Sequence, residues 1–502
     1  MEGMKDDQVL CGNYAVPRVQ IVTWPQVREM IASGLVEIAS HSYSLHKGVI
    51  SNPQGSMPPA ATTHIYNAQE QRYESDADYY ARIRADLAKN SAIIERETGK
   101  KPRVMTWPYG AYNMSCIQAA EAEGMPITLN LEAGPNTPDV PLYRTRRVMR
   151  YFPDRVRELK DDLRQQAQYA GEEQPLTRVI AVDLDTIYDT DPVRQGKNLD
   201  DLIERVYRLK IDTVYLRIVS DADHDGNAEA AYFPNRHLPV RADLFNRTSF
   251  QLRTRAAVPF IYAWLPVLAF DLPPGHLEAG SSAAVPISTS GNGDTSDVRL
   301  SPIAPAVRQA IKEIYEDAAK NAPPQVGGLL LGDNMGHGEF DTDYLTGFIH
   351  ELTTVFEFYQ PDTLTARIVS PDLVFASNDA RGTALSFTEI AKHYDFVTLA
   401  AIPTGKDADE DADDPELWLK TLVEKVAQTP ETLKNTVFLL NGMDKESGKP
   451  IDSKRLAAQL RLVQQNGGRN FGYYPDLASR DQPALSVIKP VITLKMNPGR
   501  QP

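Results

Sequence analysis

Glu37-Ile38-Ala39-Ser40-His41-Ser42-Tyr43-Ser44-Leu45-His46 is the stretch on which the reading of this chain turns. Leu35, Val36 and Ile38 make a β-type apolar run that feeds a short polar loop carrying two histidines. Two neutral imidazoles leaving a strand end can face one cation if the loop curls back. Zn²⁺ and similar ions accept such nitrogen ligands and keep a further position open for water. Taken alone, this spacing on a loop is more often a solvated turn. A second strand-like run, Arg103-Val104-Met105, leads into Thr106-Trp107-Pro108-Tyr109-Gly110.

The 502 residues exceed one ordinary domain and accommodate two of barrel size. Apolar residues at 42% with 24% charged are the composition of a globular protein with ample core. A net charge of -14 argues against nucleic acid as a partner, because phosphate contacts need a basic face. Cys11 and Cys116 are the only cysteines, which excludes a disulfide framework and a cysteine zinc site. Val9-Leu10-Cys11-Gly12 superficially suggests lipidation, but neither a basic start nor an apolar segment precedes it, so an ordinary cysteine is expected. No apolar run approaches a membrane span.

Together, E-I-A-S-H-S-x-x-x-H and W-P-Y-G resemble the second and third motifs of the polysaccharide deacetylase (NodB-homology) family. Trp24-Pro25-Gln26-Val27-Arg28-Glu29, Tyr79-Tyr80-Ala81-Arg82-Ile83-Arg84 and the long C-terminal half look like the two-domain poly-β-1,6-N-acetyl-D-glucosamine N-deacetylases of biofilm export systems. The resemblance runs along nearly the whole chain. It implies a carbohydrate N-deacetylase that cuts a linear amide C–N bond. His41 and His46 would then be ligands of a divalent metal ion, with Zn, Ni, Co and Fe all open. Tyr109 would offer its backbone N–H to the oxyanion, and Trp107 with Pro108 would wall the sugar pocket, core packing being the alternative. The implied partner is the β-1,6-linked N-acetylglucosamine polymer, with an outer-membrane export porin of the same system as a further candidate. An acidic protein suits a polymer that becomes cationic on deacetylation. By family the place of action is the periplasm or outer membrane, although this sequence shows no signal peptide or lipobox.

The family's opening strand carries a Thr-Phe-Asp-Asp-Gly motif, one aspartate ligating the metal and the other acting as general base. The nearest pair here is Asp6-Asp7, in Met4-Lys5-Asp6-Asp7-Gln8, with no strand before it and no glycine after it. The expectation is an N-terminally truncated deacetylase domain, impaired in activity. Residues 1–150 hold three strand-and-helix units, with strands near 36–40, 103–107 and 126–130 and a helix over Ala77–Glu97. Residues 151–175 are a charged helical connector closed by Gly171-Glu172-Glu173-Gln174-Pro175.

Over 176–490 strand-like runs alternate with helices: Val179–Asp183, Thr213–Ile218, Pro259–Trp264, Gly328–Gly332, Thr365–Val369, Phe396–Ile402, Thr436–Leu440 and Asn470–Tyr474. Asn198 is expected to cap one helix, and another follows Pro415. The fold class is therefore α/β: a partial deacetylase (β/α) barrel followed by a complete (β/α)8 TIM-like barrel, with a tail at 491–502. Its site belongs at the strand C-terminal ends. Gly280–Asp297 and Lys406–Asp414 read as flexible loops.

Asp183 and Asp185 end the first barrel strand, Trp264 the third, Asp333 the fourth, and Tyr473, Tyr474 and Asp476 the last. Aromatic faces suit sugar rings and carboxylates accept hydroxyl or ammonium hydrogen bonds, though for Tyr473 core packing is equally open. Asp221, Asp223 and Asp225 are spaced like a calcium loop, but Tyr232 stands where the closing glutamate should be, so a turn is expected. Glycoside hydrolysis needs two carboxylates, for which Asp333 with Asp183 or Asp185 is the candidate pair. Where relatives show His-Asp-Asp this chain has Gly332-Asp333-Asn334, and their Met-Pro-Tyr is Ile402-Pro403-Thr404. Asparagine cannot ionise, which favours a binding-only barrel. Three functions stay open: metal-dependent deacetylase, non-catalytic polysaccharide-binding module, and glycoside hydrolase of the partly deacetylated polymer.

Overall fold

The computed structural model describes residues 8–11, 14–132, 134–148, 159–161, 163, 176–272, 284–286, 298–323, 326–332, 342–361, 363–375, 386–401, 414–444 and 447–494. The chain forms two compact units, Met1–Glu172 and Glu173–Pro502.

In the first unit, strands Val104–Thr106, Ile127–Asn130 and Thr145–Arg146 form a parallel sheet in that order. The strand expected near 36–40 contracts to a single bridge. Ser40 donates its N–H to Val104 O at 2.9 Å and accepts from Thr106 N at 2.8 Å. Leu35 is 89% exposed and Val36 is also exposed, so among the described residues these two side chains offer no packed face that would extend the ladder. Helix Asp76–Thr98 starts at a Ser75 cap and ends at left-handed Gly99. It buries Tyr79, Ile83 and Leu87, one turn apart, in the same cluster as Cys116 and Ile117 of helix Met114–Ala122. Cys116 is an ordinary buried thiol, pushed up to about 11 by desolvation.

In the second unit eight strands close a parallel barrel: Arg178–Asp183, Thr213–Arg217, Phe260–Leu265, Gly328–Leu331, Leu364–Val369, Phe396–Ala401, Thr436–Asn441 and Asn470–Tyr474. The last pairs with the first, Tyr473 opposite Ile180. Because side chains alternate along a strand, the core divides in two. Val179, Ala181, Tyr215, Tyr262, Leu330 and Val437 fill the lumen. Their neighbours Ile180, Val182, Val214 and Leu216 pack outward with helix residues such as Leu202 and Val206.

Helix Pro192–Leu209 does not begin at Asn198. Asp191 caps it, accepting from Val193 N, with Pro192 in the first turn, and Asn198 lies inside the helix, donating to Ile187 O at 3.2 Å. Helix Pro415–Ala427 follows an Asp414 cap. The Ser/Gly/Thr-rich stretch is not all loop, since Ala284–Pro286 pairs antiparallel with Val298–Leu300. The rest of it lies outside the described residues, as do 406–413 of the acidic stretch and all of the 151–175 connector except helical residues 159–161 and 163. Among the described residues no helix is long and apolar enough to cross a membrane.

Candidate functional sites: a histidine loop and a barrel mouth

The loop 41–46 is held against helix Asp76–Thr98. The Asp86 carboxylate accepts from Tyr43 N at 2.8 Å, Ser44 N at 2.7 Å and Ser44 Oγ at 3.0 Å. Four residues on, Asn90 Oδ1 accepts from Ser40 Oγ at 2.8 Å. The loop so curled brings the His41 and His46 rings to 5.2 Å between centroids.

His41 Nδ1 lies 2.7 Å from Thr106 O. A carbonyl only accepts, so Nδ1 carries the hydrogen and Nε2 keeps its lone pair for a cation. Although the ring reaches solvent, partial desolvation pulls the His41 pKa below its usual 6.5. The Thr106 bond opposes that shift, and the His46 and Arg147 charges add to it. This donor chemistry fits a divalent ion. Among the described residues no further His, Cys, Asp or Glu joins the pair in a cluster tight enough for one ion. Asp6 and Asp7 lie outside the described residues.

Tyr109 has φ 58° and is followed by left-handed Gly110, where an added Cβ would come within 2.8 Å of Leu131 Cβ. This double turn sends the Tyr109 ring outward onto His46, at 4.4 Å between centroids. Trp107 is 0% exposed and Pro108 is buried, so neither presents a face to a sugar, and the core-packing alternative describes both. Trp107 still borders the site through its backbone, its carbonyl accepting from the Arg147 guanidinium at 3.3 Å.

At the barrel mouth the alternation decides which residues meet. Asp183, Arg217 and Trp264 each stand two positions beyond a lumen residue, namely Ala181, Tyr215 and Tyr262. Asp183 Oδ2 accepts from Arg217 Nη1 at 3.3 Å and Tyr474 OH at 3.4 Å. Trp264 meets Tyr474 edge-on at 5.1 Å and Arg217 lies 6.0 Å from its ring centre. Burial raises the Asp183 carboxyl to about 6, against the pull of Arg217 and with help from Asp185. Gly332 completes the rim, since a Cβ there would fall 2.3 Å from Trp264 Nε1. Asp333 and Asn334 lie outside the described residues.

Asp185 is turned to a separate hub, accepting from Ser220 Oγ at 2.7 Å, Tyr232 OH at 2.5 Å and Arg241 Nη1 at 3.1 Å. Tyr473 and Asp476 do not line the mouth. One position from Tyr474, Tyr473 faces outward, fully buried, and donates to Asp476 Oδ2 at 2.6 Å. Arg205 of helix Pro192–Leu209 binds the same oxygen at 2.7 Å. The Asp221, Asp223 and Asp225 carboxylates come within 4.8 Å of one another. They cap their own turn, Asp221 receiving Gly226 N and Asp225 receiving Asn227 N, while Asp221 also binds Arg217 at 3.1 Å.

Asp86, Asn90 and Arg217 were not evident from the motifs. Their available signals are periodic: two polar residues four apart beside the buried Ile83 and Leu87, and a cation two residues past an inward tyrosine.

Residues 5–128 match the polysaccharide deacetylase family model. Residues 181–343 and 335–474 match hypothetical glycosyl hydrolase family 13. The chain is 31% identical over 530 aligned residues to the poly-β-1,6-N-acetyl-D-glucosamine N-deacetylase of Escherichia coli (strain K12), covering 97% of this chain and 76% of the relative. The counterpart in Escherichia coli O157:H7 matches at the same identity and coverage. The solved glycoside hydrolase domain of PgaB (BpsB) from Bordetella bronchiseptica is 36% identical, with a TM-score of 0.57, covering 64% of this chain and 100% of that one. The chain belongs to the poly-β-1,6-N-acetyl-D-glucosamine N-deacetylase family, hydrolases of a carbohydrate amide bond.

Proposed function

We propose that the chain acts on poly-β-1,6-N-acetyl-D-glucosamine in biofilm matrix export, de-N-acetylating it at the histidine loop and holding it at the barrel mouth. The observation that carries the first part is the His41–Thr106 bond, which fixes one imidazole with its Nε2 lone pair free. A divalent ion held by His41 and His46 would acidify a bound water and polarise the acetamide carbonyl. The chain's own residues supply the rest. Thr106 sets the His41 tautomer, Tyr109 steadies His46 and offers its backbone N–H to the developing oxyanion, and Asp86 keeps the loop curled. The described residues contribute two ligands and no carboxylate base, so deacetylation by them alone is expected to be weak. The periplasm and an export porin of the same system are the proposed setting and partner.

Acetate release from β-1,6-N-acetylglucosamine oligomers, with Zn²⁺, Ni²⁺ or Co²⁺ added and His41→Ala as control, tests this. Metal-dependent release that the control abolishes supports it. Release unaffected by His41→Ala overturns it.

A second reading has its own observation. A carboxyl held near 6 beside Trp264 and Tyr474 suits an acid that protonates a glycosidic oxygen. Shortened oligosaccharides from partly deacetylated polymer, lost in Asp183→Asn, would establish hydrolysis. Binding without shortening would leave the barrel as a holding module.

A further inference from the structure

We propose that Asp86 is a positioning residue of the metal centre: from a rigid helix, its carboxylate sets the curl of the loop between His41 and His46 and thereby how tightly the pair holds a divalent cation. This rests on the reading of His41 and His46 as ligands.

The four residues between the two histidines form no regular structure of their own, so something outside the loop must fix the distance between the rings. Asp86 does so at the loop's midpoint. One carboxylate oxygen takes the Tyr43 N–H, and the other takes the Ser44 N–H and hydroxyl. Two successive peptide N–H groups turned to one side make a concave anion site, and a carboxylate, an acceptor at both oxygens, fills it completely. The side-chain amide of asparagine would satisfy one of those N–H groups and place its own NH₂ against the other.

The turn being held is costly on its own. Ser42 has φ 70°, and it persists because its hydroxyl accepts from Leu45 N at 3.1 Å while Asp86 ties down the next two residues. One helical turn beyond Asp86, Asn90 holds Ser40, the residue preceding His41. Lys89 lies 3.8 Å from the Tyr43 ring centre. Ile83 and Leu87, both fully buried, anchor the same helix in the core. The loop thus takes its shape from a helix that is itself fixed by packing. Asp86 does not act as a third ligand, because its two oxygens are occupied by the loop and it forms no metal-sized cluster with the histidines.

The test is a Zn²⁺ competition titration of the full chain, beside thermal unfolding of each metal-free form. Asp86→Ala should weaken Zn²⁺ binding by about 10- to 100-fold, as loss of an outer-shell partner does elsewhere, with Asp86→Asn intermediate. Unfolding of the metal-free Asp86→Asn chain should shift little, and that combination is one a merely structural role would not produce. Should Asp86→Ala fail to fold, the asparagine variant decides. Wild-type affinity in Asp86→Asn, with binding abolished by His41→Ala, would overturn this inference and leave the metal site standing. Binding that His41→Ala does not reduce would overturn the metal site itself, and Asp86's role with it.

Discussion

The His46 ring lies on the Tyr109 ring, centroids 4.4 Å apart and planes inclined by 30°, and Tyr109 holds a left-handed backbone at φ 58° to keep it there. A non-glycine residue in that region costs roughly 1 kcal/mol. Tyr109→Gly should therefore leave stability unchanged or raise it by up to about 1 kcal/mol while weakening metal binding several-fold. Denaturant midpoints and Zn²⁺ titration separate the two effects. A variant both less stable and unimpaired in binding would contradict this account.

His41 should titrate below 6.5, because partial burial and the nearby positive charges disfavour its protonated form. The neutral ring should carry its hydrogen on Nδ1, as the Thr106 carbonyl requires. Nitrogen-15 imidazole shifts, followed with pH in the metal-free chain, report both. A midpoint above 6.5, or the opposite tautomer, would remove the basis for Nε2 ligation.

Asp183 gives the barrel a pH signature. Its carboxyl rests at about 6 folded against 3.8 when unperturbed, so the folded state binds the proton more tightly. That stabilisation is complete below about pH 4 and is lost as pH rises through 6. Asp183→Asn should abolish this step and, at pH 7.5, exceed the wild type by on the order of 1–3 kcal/mol. Asp212, also raised to about 6 by burial, leaves a second step that the variant keeps. Denaturant unfolding at pH 5 and 7.5 checks the sign.

Gly332 should act on oligosaccharide binding through Trp264. An alanine methyl would lie 2.3 Å from the indole nitrogen, so the ring must swing aside. Gly332→Ala is expected to cost about 1–3 kcal/mol of stability and to weaken oligosaccharide binding to the barrel several-fold. Calorimetric titration with partly deacetylated oligomers measures the second effect, and unaltered affinity would mean Trp264 does not touch the sugar.

Arg205 and Tyr473 should behave in the opposite way. Arg205 is buried and paired with Asp476, so Arg205→Met leaves that carboxylate unpaired and should cost about 3–5 kcal/mol. Tyr473→Phe should cost about 1–2 kcal/mol. Oligomer affinity of the folded fraction should be unchanged in both. A specific loss of affinity in Tyr473→Phe would restore it to the site.

The barrel was legible because each strand is a short apolar run, most of them followed by an amphipathic helix, and all eight runs coincide with strands to within two residues. What the sequence concealed depends on parity and distance. Tyr473 and Tyr474 read alike as aromatics at a strand end, but adjacent positions on a strand face opposite sides, and Arg205, which holds the Tyr473 side, is 271 residues away from Asp476. The 36–40 run looked like a strand because its composition suits one, whereas pairing needs a packed face that Leu35 and Val36 lack. The histidines were visible as a motif. Their tautomer, set by a backbone carbonyl 65 residues on, was not.

The seam where the barrel's ends meet sets a timetable for the newborn chain. Thr177 binds Asn470 across 293 residues of sequence, so the first strand finds its final neighbour only when the rest of the barrel has been made. At about 5–20 residues per second of synthesis, that wait lasts roughly 15–60 seconds. Throughout it, Val179-Ile180-Ala181-Val182 has one bare edge, free to pair with a wrong strand or a neighbouring chain. A chaperone or translocation factor that shields an emerging segment would be needed most at this one, the first barrel strand to appear and the last to be enclosed.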